Sequence, residues 1–211
     1  MSTLQELIAQ GEHVQQDFKF RIDDQKKIAR TLCAFANTKG GRLLIGVKDN
    51  RKVAGCNPEE EFHMIEGAAQ LFCQPEVKFT SKVWQDDFRL VLEINVEPSD
   101  LKPHQAKDDE GRWKPYVRIE DHTTAANKIL ENVWKEQKKL QARPEKFDDE
   151  ELSILRLIRE EGMITLSKLY RKANLPLRKV DRLIVLFICW DLVEMIFQSN
   201  GTFYRIKEIG E

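Results

Sequence analysis

The chain has 211 residues, and its 34 Lys and Arg residues nearly balance its 35 Asp and Glu residues. This balance excludes a strong overall attraction to nucleic acids or membranes, so any such binding must come from local patches. The length suits one large domain or two modest ones.

Neither the N-terminal segment nor the hydropathy pattern indicates a membrane protein. The segment "MSTLQELIAQGEH" lacks the basic start and apolar run of a signal peptide, and no stretch approaches the roughly 20 apolar residues of a membrane span. The four cysteines are far apart and lack the spacing of a metal site, so we expect reduced packing cysteines. These features predict a soluble, cytoplasmic protein with no membrane partner.

The first residues predict a short helix followed by a strand. Thr3 is a candidate N-cap for the helix "TLQELIAQ", and Gly11 would close it. The next run, "GEHVQQDFKF", is strand-like, so its alternate side chains lie on opposite faces. Asp17 and Lys19 then share a face, and Glu12 lies on the turn that enters the strand. These three polar side chains could converge on one site.

Helix and strand signals continue to the run "PYVRIED". The segment from Asp23 has apolar residues at helical spacing, and "NTKGG" stops it with Asn and paired glycines. "RLLIGVKD" predicts a buried strand, and "PEEEFHMIEGAAQLFC" predicts a helix with Pro at its start. "EVKFTSKVW" and "FRLVLEINV" predict a hairpin around "QDD", and a further strand pair around "DDEG" ends in "PYVRIED".

The character of the sequence then changes. "TTAANKILENVWKEQKKLQARPEKF" predicts a polar helix with a Thr cap that breaks at Pro144, where we place the domain boundary. The remainder predicts three helices and a hairpin that turns at "SNG", which is the order of a winged helix-turn-helix. We therefore expect an α+β protein with domains at residues 1–140 and 147–211.

Three blocks in the first half of the chain carry a family resemblance. They are "EHVQQDFKF", "AFANTKGGRLLIGVKDNRKVAGC" and "PYVRIEDHTTAA", in this order, and the middle block is the most specific. On these blocks the chain resembles the Schlafen Alba-like domain, also described as a divergent AAA domain of bacterial regulators. The resemblance implies a mixed sheet with helices and a role in binding nucleic acids.

The resemblance also implies a site. In animal relatives with ribonuclease activity, three acidic residues form a metal-dependent centre. By motif they fall here on Glu12, Asp17 and Asp49, with Lys19 in the accompanying basic position. Where the family usually has "EFK" this chain has "DFK", so the Asp17 side chain is one methylene shorter.

Two interpretations of these carboxylates are open. Mg²⁺ or Mn²⁺ could bridge the three, polarise a phosphoryl oxygen and activate water, while Lys19 neutralises charge on the phosphate. The chain would then be a metal-dependent endonuclease acting on structured RNA or DNA. Alternatively, the carboxylates are separate solvated charges, and Asp49 is a turn former in "KDNRK".

Other catalytic and cofactor motifs are absent from the sequence. "NTKGG" matches neither the P-loop nor the Rossmann pattern, so we predict no ATP site. Gly40 and Gly41 more simply end a helix and allow a tight approach to the next strand. The histidines lack zinc-site spacing, and there is no GxSxG nucleophile motif.

A second candidate site lies in the predicted winged helix. Arg178, Lys179 and Arg182 lie near the N-terminal end of its recognition helix, which meets DNA in such folds. Arg205 and Lys207 on the wing could add phosphate contacts. The opposing stripe of this helix is the predicted core, made of Val180, Leu183, Ile184, Phe187 and Ile188.

These features favour a nucleic-acid-binding protein, in particular a DNA-binding transcriptional regulator. One alternative is the metal-dependent endonuclease with Mg²⁺ or Mn²⁺ at the acidic triad. Another is a protein-interaction module that uses the winged helix for assembly. A homodimer is expected for a regulator that reads paired half-sites.

Overall fold

The computed structural model describes residues 3–139 and 142–208, and backbone contacts divide the chain into two units. The first unit ends at Ala126 and the second begins at Asn127. The elements of the first unit are α1 (Leu4–Gln10), β1 (Gln16–Lys19), α2 (Gln25–Asn37), β2 (Gly41–Ile45), α3 (Pro58–Leu71), β3 (Cys73–Gln74), β4 (Thr80–Asp86), β5 (Arg89–Val96), β6 (Gln105–Lys107), β7 (Trp113–Ile119) and β8 (His122–Ala125).

The second unit is mainly helical. Its elements are α4 (Lys128–Gln137), α5 (Asp149–Glu161), β9 (Ile164–Thr165), α6 (Leu166–Lys172), α7 (Leu177–Cys189), β10 (Val193–Gln198) and β11 (Gly201–Ile206). Helices and strands mix along the chain, which confirms the predicted α+β class.

Within the described residues, two four-stranded sheets form the first unit. One has the order β1-β2-β5-β4, with β1 and β2 parallel and the other neighbours antiparallel. The second has the order β3-β6-β7-β8 and is antiparallel. The predicted hairpin is confirmed as β4 and β5, which pair Asp86 with Arg89 and leave Asp87 and Phe88 in the turn.

The helix α2 is central to the first unit. Asp24 caps its N-terminus by accepting hydrogen bonds from backbone N–H groups of the first turn. The buried side chains of α2 pack with Leu43 and Ile94 of the first sheet and with Ala106 and Tyr116 of the second. The helical spacing of apolar residues therefore places α2 between the two sheets.

The helix α1 covers the opposite face of the first sheet. Thr3 is its N-cap, as predicted. Leu7 packs with Phe18 of β1 in a separate apolar cluster. The buried Gln16 side chain donates hydrogen bonds to the carbonyl oxygens of Leu7 and Gly11, both at 2.7 Å, and so satisfies carbonyls at the helix end.

Two glycines bring the end of α2 close to the start of β2. Gly40 has φ +73°, a left-handed conformation that favours glycine. A Cβ added to Gly41 would lie 2.3 Å from the Phe35 ring, so a larger residue would not fit there. The interpretation of "NTKGG" as a helix stop and a tight approach is confirmed.

Asn37, the last residue of α2, connects this helix to the second sheet. Its Nδ2 donates to the carbonyl oxygens of His104 at 2.7 Å and Tyr116 at 2.8 Å. Its Oδ1 accepts from the backbone N–H of His104 at 2.8 Å. Because Asn37 is buried, these bonds satisfy backbone groups that water cannot reach.

In the second unit, α7 is packed on two sides. Val185 is buried together with Val133 of α4, and the Cys189 thiol donates to the carbonyl oxygen of Val133 at 3.7 Å. The predicted core stripe also packs inward, with Ile188 half-buried and the others buried: Val180, Leu183, Ile184 and Phe187.

The order of α5, α6 and α7 followed by a hairpin agrees with the predicted elements. The strands β10 and β11 form the hairpin, and β9 adds to it as a third antiparallel strand. The designation of this unit as a winged helix-turn-helix stays a prediction.

The start of α4 differs from the prediction. The Thr residues of "TTAANK" do not cap a helix, because they lie in β8 and pair with β7. Thr is β-branched and suits a strand. Asn127 is the N-cap instead, and its Oδ1 accepts from the backbone N–H of Leu130 at 2.9 Å.

The division between the units also falls earlier than the boundary predicted at Pro144. Ile129 and Val133 of α4 are buried in the core of the second unit, so this helix belongs to that unit. Residue 140, the predicted end of the first domain, lies outside the described residues.

No helix within residues 3–139 and 142–208 has the length and apolar content to cross a membrane. All four cysteines are free thiols, as expected. A hydrogen bond with Cys73, together with burial, raises the pKa of Cys33, which suits an unreactive packing residue.

Replacing Asn37 by Ala should strongly destabilise the first unit. The change leaves buried backbone groups of His104 and Tyr116 without partners, and each such group costs about 1–3 kcal/mol. We expect a loss of at least about 3 kcal/mol in the free energy of unfolding. Urea denaturation measures this value. Asn50→Ala, at an exposed turn of the same unit, is the control and should change it by less than about 1 kcal/mol; equal losses in both variants would contradict the role of Asn37.

Candidate nucleic-acid interface

Glu12 and Asp17 lie together at the start of the first sheet. Glu12 occupies the turn before β1, and its Oε1 accepts from the backbone N–H of Phe18 at 3.0 Å. Asp17 lies on β1 with its side chain 7% exposed, and the Lys19 Nζ is 2.9 Å from its Oδ2. The predicted convergence of these side chains is therefore found for Glu12, Asp17 and Lys19.

Arg118 of β7 completes this cluster from the second sheet, and sequence reasoning did not find it. Its Nη1 lies 3.9 Å from the Asp17 Oδ2, and its Nη2 donates to the carbonyl oxygen of His13 at 3.2 Å. The Arg118 side chain is 2% exposed, and its Nε has no partner among the described residues. The only signal in the sequence was an Arg in the resemblance block "PYVRIED".

Burial and the neighbouring carboxylate change the ionisation of Glu12. Burial is the largest cause that raises its pKa, and a hydrogen bond with Asp17 adds to it. The backbone N–H of Phe18 opposes these effects because it donates to the ionised form. For Arg118, burial lowers the pKa, while Asp17 and Glu12 raise it. The repulsion between the two carboxylates is thus offset by Lys19 and Arg118.

Asp49 is placed differently from the other two carboxylates. It lies in an exposed turn after β2. In this turn the backbone N–H of Lys48 donates to the carbonyl oxygen of Lys52 at 3.0 Å, and that of Arg51 donates to the carbonyl oxygen of Lys48 at 2.7 Å. Within the described residues, Asp49 does not form a group with Glu12 and Asp17 that could hold a metal ion. The structure does not bring Asp49 to the pair, and its position matches the turn-former interpretation.

The residues of the pair do not fit a divalent cation as they are arranged. Mg²⁺ and Mn²⁺ need several free oxygen ligands, but the Asp17 carboxylate is engaged by two cations and Glu12 by a backbone N–H. No group of three or more His, Cys, Asp or Glu side chains in the described ranges is placed to hold a metal ion.

The predicted DNA-contacting cations lie on the first turns of α7. Arg178 and Arg182 are exposed, while Lys179 is half-buried and contacts the carboxylate of Glu150. Arg178 and Arg182 line a groove of about 380 Å³ together with Lys135 of α4. Sequence reasoning missed Lys135 because it did not pack α4 against α7.

The remaining members of the groove are mostly polar. Lys139 lies in it but pairs with Glu136, at 2.7 Å between Nζ and Oε2. Asp181 also lines the groove and accepts a hydrogen bond from the Tyr170 hydroxyl. The groove therefore carries more positive than negative side chains.

The two predicted wing cations are paired with carboxylates. The Arg205 Nε donates to the Glu194 Oε1 at 2.8 Å across the hairpin. The Lys207 Nζ lies 2.6 Å from the Asp191 Oδ1. Their charge is compensated locally, so among the predicted DNA-contacting cations the charge without a carboxylate partner lies on Arg178 and Arg182 of α7 rather than on the wing.

Comparisons with solved structures give low similarity. The crystal structure of the DIP2311 protein from Corynebacterium diphtheriae is 16% identical, with a TM-score of 0.43. The alignment covers 96% of this chain and 35% of that one, so this chain spans about a third of its length. The N-terminal domain of a RecG-related, ATP-dependent DNA helicase-like protein from Nitrosomonas europaea is 20% identical, with a TM-score of 0.43, and the alignment covers 61% of this chain and 94% of that domain.

A search of curated proteins gives no significant match. The family model described as "Schlafen, AlbA_2" matches residues 12–127. This range contains the cluster of Glu12, Asp17, Lys19 and Arg118 and covers more than half of the chain, and the protein is therefore a member of the Schlafen AlbA_2 family.

Proposed function

We propose that the chain is a nucleic-acid-binding protein that contacts duplex DNA through the first turns of α7, in a regulatory role. The observation that carries this proposal is the groove between α4 and α7. Within the described residues, Arg178, Arg182 and Lys135 have no ion-pair partner there. Unpaired, exposed cations can neutralise phosphates and release counterions, which drives binding to DNA.

Two further observations support the proposal. Membership of the Schlafen AlbA_2 family is consistent with a nucleic-acid-related function. The order of α5, α6, α7 and the hairpin suits a winged helix-turn-helix, in which the start of the recognition helix, here α7, meets the major groove. A homodimer that reads paired half-sites belongs to the same proposal, and light scattering tests it.

Replacing Arg178 and Arg182 by Ala should weaken binding to a labelled DNA duplex. Each lost phosphate contact removes about 0.9 from the slope of log affinity against log salt concentration, so the double variant should lose about 1.8. Lys179→Ala should have a smaller effect, because Glu150 already compensates its charge. Fluorescence anisotropy over a series of salt concentrations measures affinity and slope together.

The control for this experiment is Arg156→Ala with Arg159→Ala. Both residues are exposed on α5 and outside the groove, so the control removes the same charge. It should leave the slope unchanged. If the Arg178 and Arg182 variant behaved like this control, α7 would not be the DNA-contacting element, and a wild type that bound no nucleic acid would favour the protein-interaction module.

The endonuclease alternative rests on the pairing of Glu12 with Asp17 beside Lys19. Catalysis at this cluster stays a prediction, and it would need the cluster to rearrange, because Asp17 already has Lys19 and Arg118 as partners. We therefore rank it below DNA binding.

Glu12→Gln should stabilise the protein at neutral pH or leave its stability unchanged. The raised pKa of Glu12 means that its ionisation disfavours the folded state, so this cost is present at pH 7. Gln keeps the acceptor for the Phe18 N–H and removes the charge. The advantage of the variant should shrink as the pH falls through the raised pKa of Glu12, and it should be absent well below about 4.3, where Glu is protonated in both states. Thermal melting over a pH series measures it, and a neutral-pH loss as large as that of Glu12→Ala would contradict the ionisation argument.

Divalent metals test the alternative in the same assay. We expect Mg²⁺ and Mn²⁺ to leave the melting temperature of the wild type unchanged, because the carboxylates are already compensated. A bound metal would instead stabilise the wild type by about 2.7 kcal/mol at a hundredfold excess over Kd. If such stabilisation occurred, was lost in Asp17→Asn and in Asp49→Asn, and was accompanied by RNA or DNA cleavage, the endonuclease would become the better function.

A further inference from the structure

A groove on the first unit gathers four cations that the proposed DNA contact does not use. It has a volume of about 530 Å³. Its charged lining consists of Lys48, Arg51, Lys52 and Arg89 together with one carboxylate, Asp86. The other residues that line it are Gln5, Val53 and Ala54.

Three of the four cations of this groove, Arg89, Arg51 and Lys48, have contacts that hold them in place without neutralising their charge. The Arg89 Nη1 donates to the carbonyl oxygen of Val53 at 2.7 Å, and the Arg51 Nη1 donates to that of Ala9 at 3.3 Å. The Lys48 Nζ lies 5.3 Å from the centroid of the Phe20 ring. Within the described residues, none of the four forms an ion pair with a carboxylate. The groove therefore presents fixed positive charge to a ligand.

The negative charges around the groove are fewer. Asp86 accepts a hydrogen bond from the Gln5 side chain at 2.9 Å, which partly satisfies its carboxylate. Asp49 and Asp87 lie in the neighbouring turns, outside the lining residues. The lining itself has an excess of three positive charges, four cations against Asp86.

Exposed aromatic rings accompany these cations. Phe88 is at the tip of the β4–β5 hairpin, directly before Arg89, and is fully exposed at 103%. Phe20, whose ring lies beneath the Lys48 ammonium group, is 48% exposed. Basic grooves with exposed aromatic rings bind single-stranded nucleic acids, because phosphates meet the cations and unpaired bases stack on the rings.

We propose that this groove and Phe88 form a second nucleic-acid site that takes a single strand. Phosphates of the strand lie against Lys48, Arg51, Lys52 and Arg89, and one unpaired base stacks on Phe88. A duplex is disfavoured here because its paired bases do not offer their faces to the ring. The inference rests on the proposed nucleic-acid-binding function and adds a site distinct from α7.

The test variant is Lys48→Glu with Lys52→Glu. These two side chains make no hydrogen bond in the described structure that the fold would lose, unlike Arg51 and Arg89. The matched control is Lys26→Glu with Lys27→Glu, which makes the same charge change at two exposed positions of the first unit outside the groove. Circular dichroism and thermal melting establish that both variants are folded.

Binding to labelled oligo-dT and oligo-U is measured by fluorescence anisotropy over a salt series. The Lys48 and Lys52 variant should bind at least about tenfold more weakly than the wild type, and its salt slope should fall by about 1.4, since each phosphate contact of a single strand contributes about 0.7. The control variant should stay close to the wild type. The Lys48 and Lys52 variant should still bind duplex DNA like the wild type, because α7 is intact.

Phe88→Ala separates base stacking from charge. It should weaken binding of oligo-dT by at least about fivefold, the lower limit for one stacked base, while leaving the salt slope unchanged. It should not affect binding of an abasic sugar-phosphate strand of the same length. Equal losses on both strands, or no loss on oligo-dT, would overturn the stacking contact.

The outcomes separate this site from the α7 contact. If Arg178→Ala with Arg182→Ala abolished duplex binding but the Lys48 and Lys52 variant bound single strands like the wild type, the second site would be wrong and the proposed function would stand. If the wild type bound neither single strands nor duplexes, both would be overturned. Single-strand binding that survives the α7 changes and is lost in the groove variant supports the second site.

Discussion

The packing of α2 between the two sheets of the first unit is the constraint on which its candidate site depends. Apolar side chains on opposite sides of this helix hold β2 and β5 on one side and β6 and β7 on the other. The side chain of Asn37 fixes the end of the helix to the second sheet through three hydrogen bonds. This arrangement brings Arg118 of β7 within 3.9 Å of Asp17 on β1.

That meeting of the two sheets determines the chemistry of the carboxylate pair. Burial raises the pKa of Glu12, and the hydrogen bond and the negative charge of Asp17 add to this shift. A nearly buried guanidinium and the ammonium of Lys19 supply the opposite charge. The pair is therefore stable as a compensated cluster, and its charge balance does not require a cation from solution. Removing Arg118 would leave Lys19 as the remaining cation beside the carboxylates, so the charge balance of the site depends on a residue that the second sheet contributes.

Charge pairing also distinguishes surface cations that the sequence makes equivalent. Arg205 and Lys207 lie opposite Glu194 and Asp191, so their charge is largely compensated within the hairpin. Arg178 and Arg182 project into a groove beside Lys135 without such partners in the described residues. Binding of phosphates depends on charge that is not already neutralised. The cations without carboxylate partners are therefore the ones proposed to contact nucleic acid.

The sequence by itself determined the α+β class, most of the helices and strands, the family resemblance and the residues that approach Asp17 along the same strand. These follow from local causes: apolar periodicity, caps, glycines and the alternation of a strand. It did not determine that Thr123 and Thr124 join a strand or that α4 packs on α7. Nor did it determine that Asp49, within the described residues, does not complete a metal-holding group with Glu12 and Asp17. Only the tertiary structure decided which distant charges meet, as for Arg118 with Asp17. The physical reason is that an ion pair between separate elements depends on the packing of the sheets and helices that carry them, and no local pattern encodes that distance.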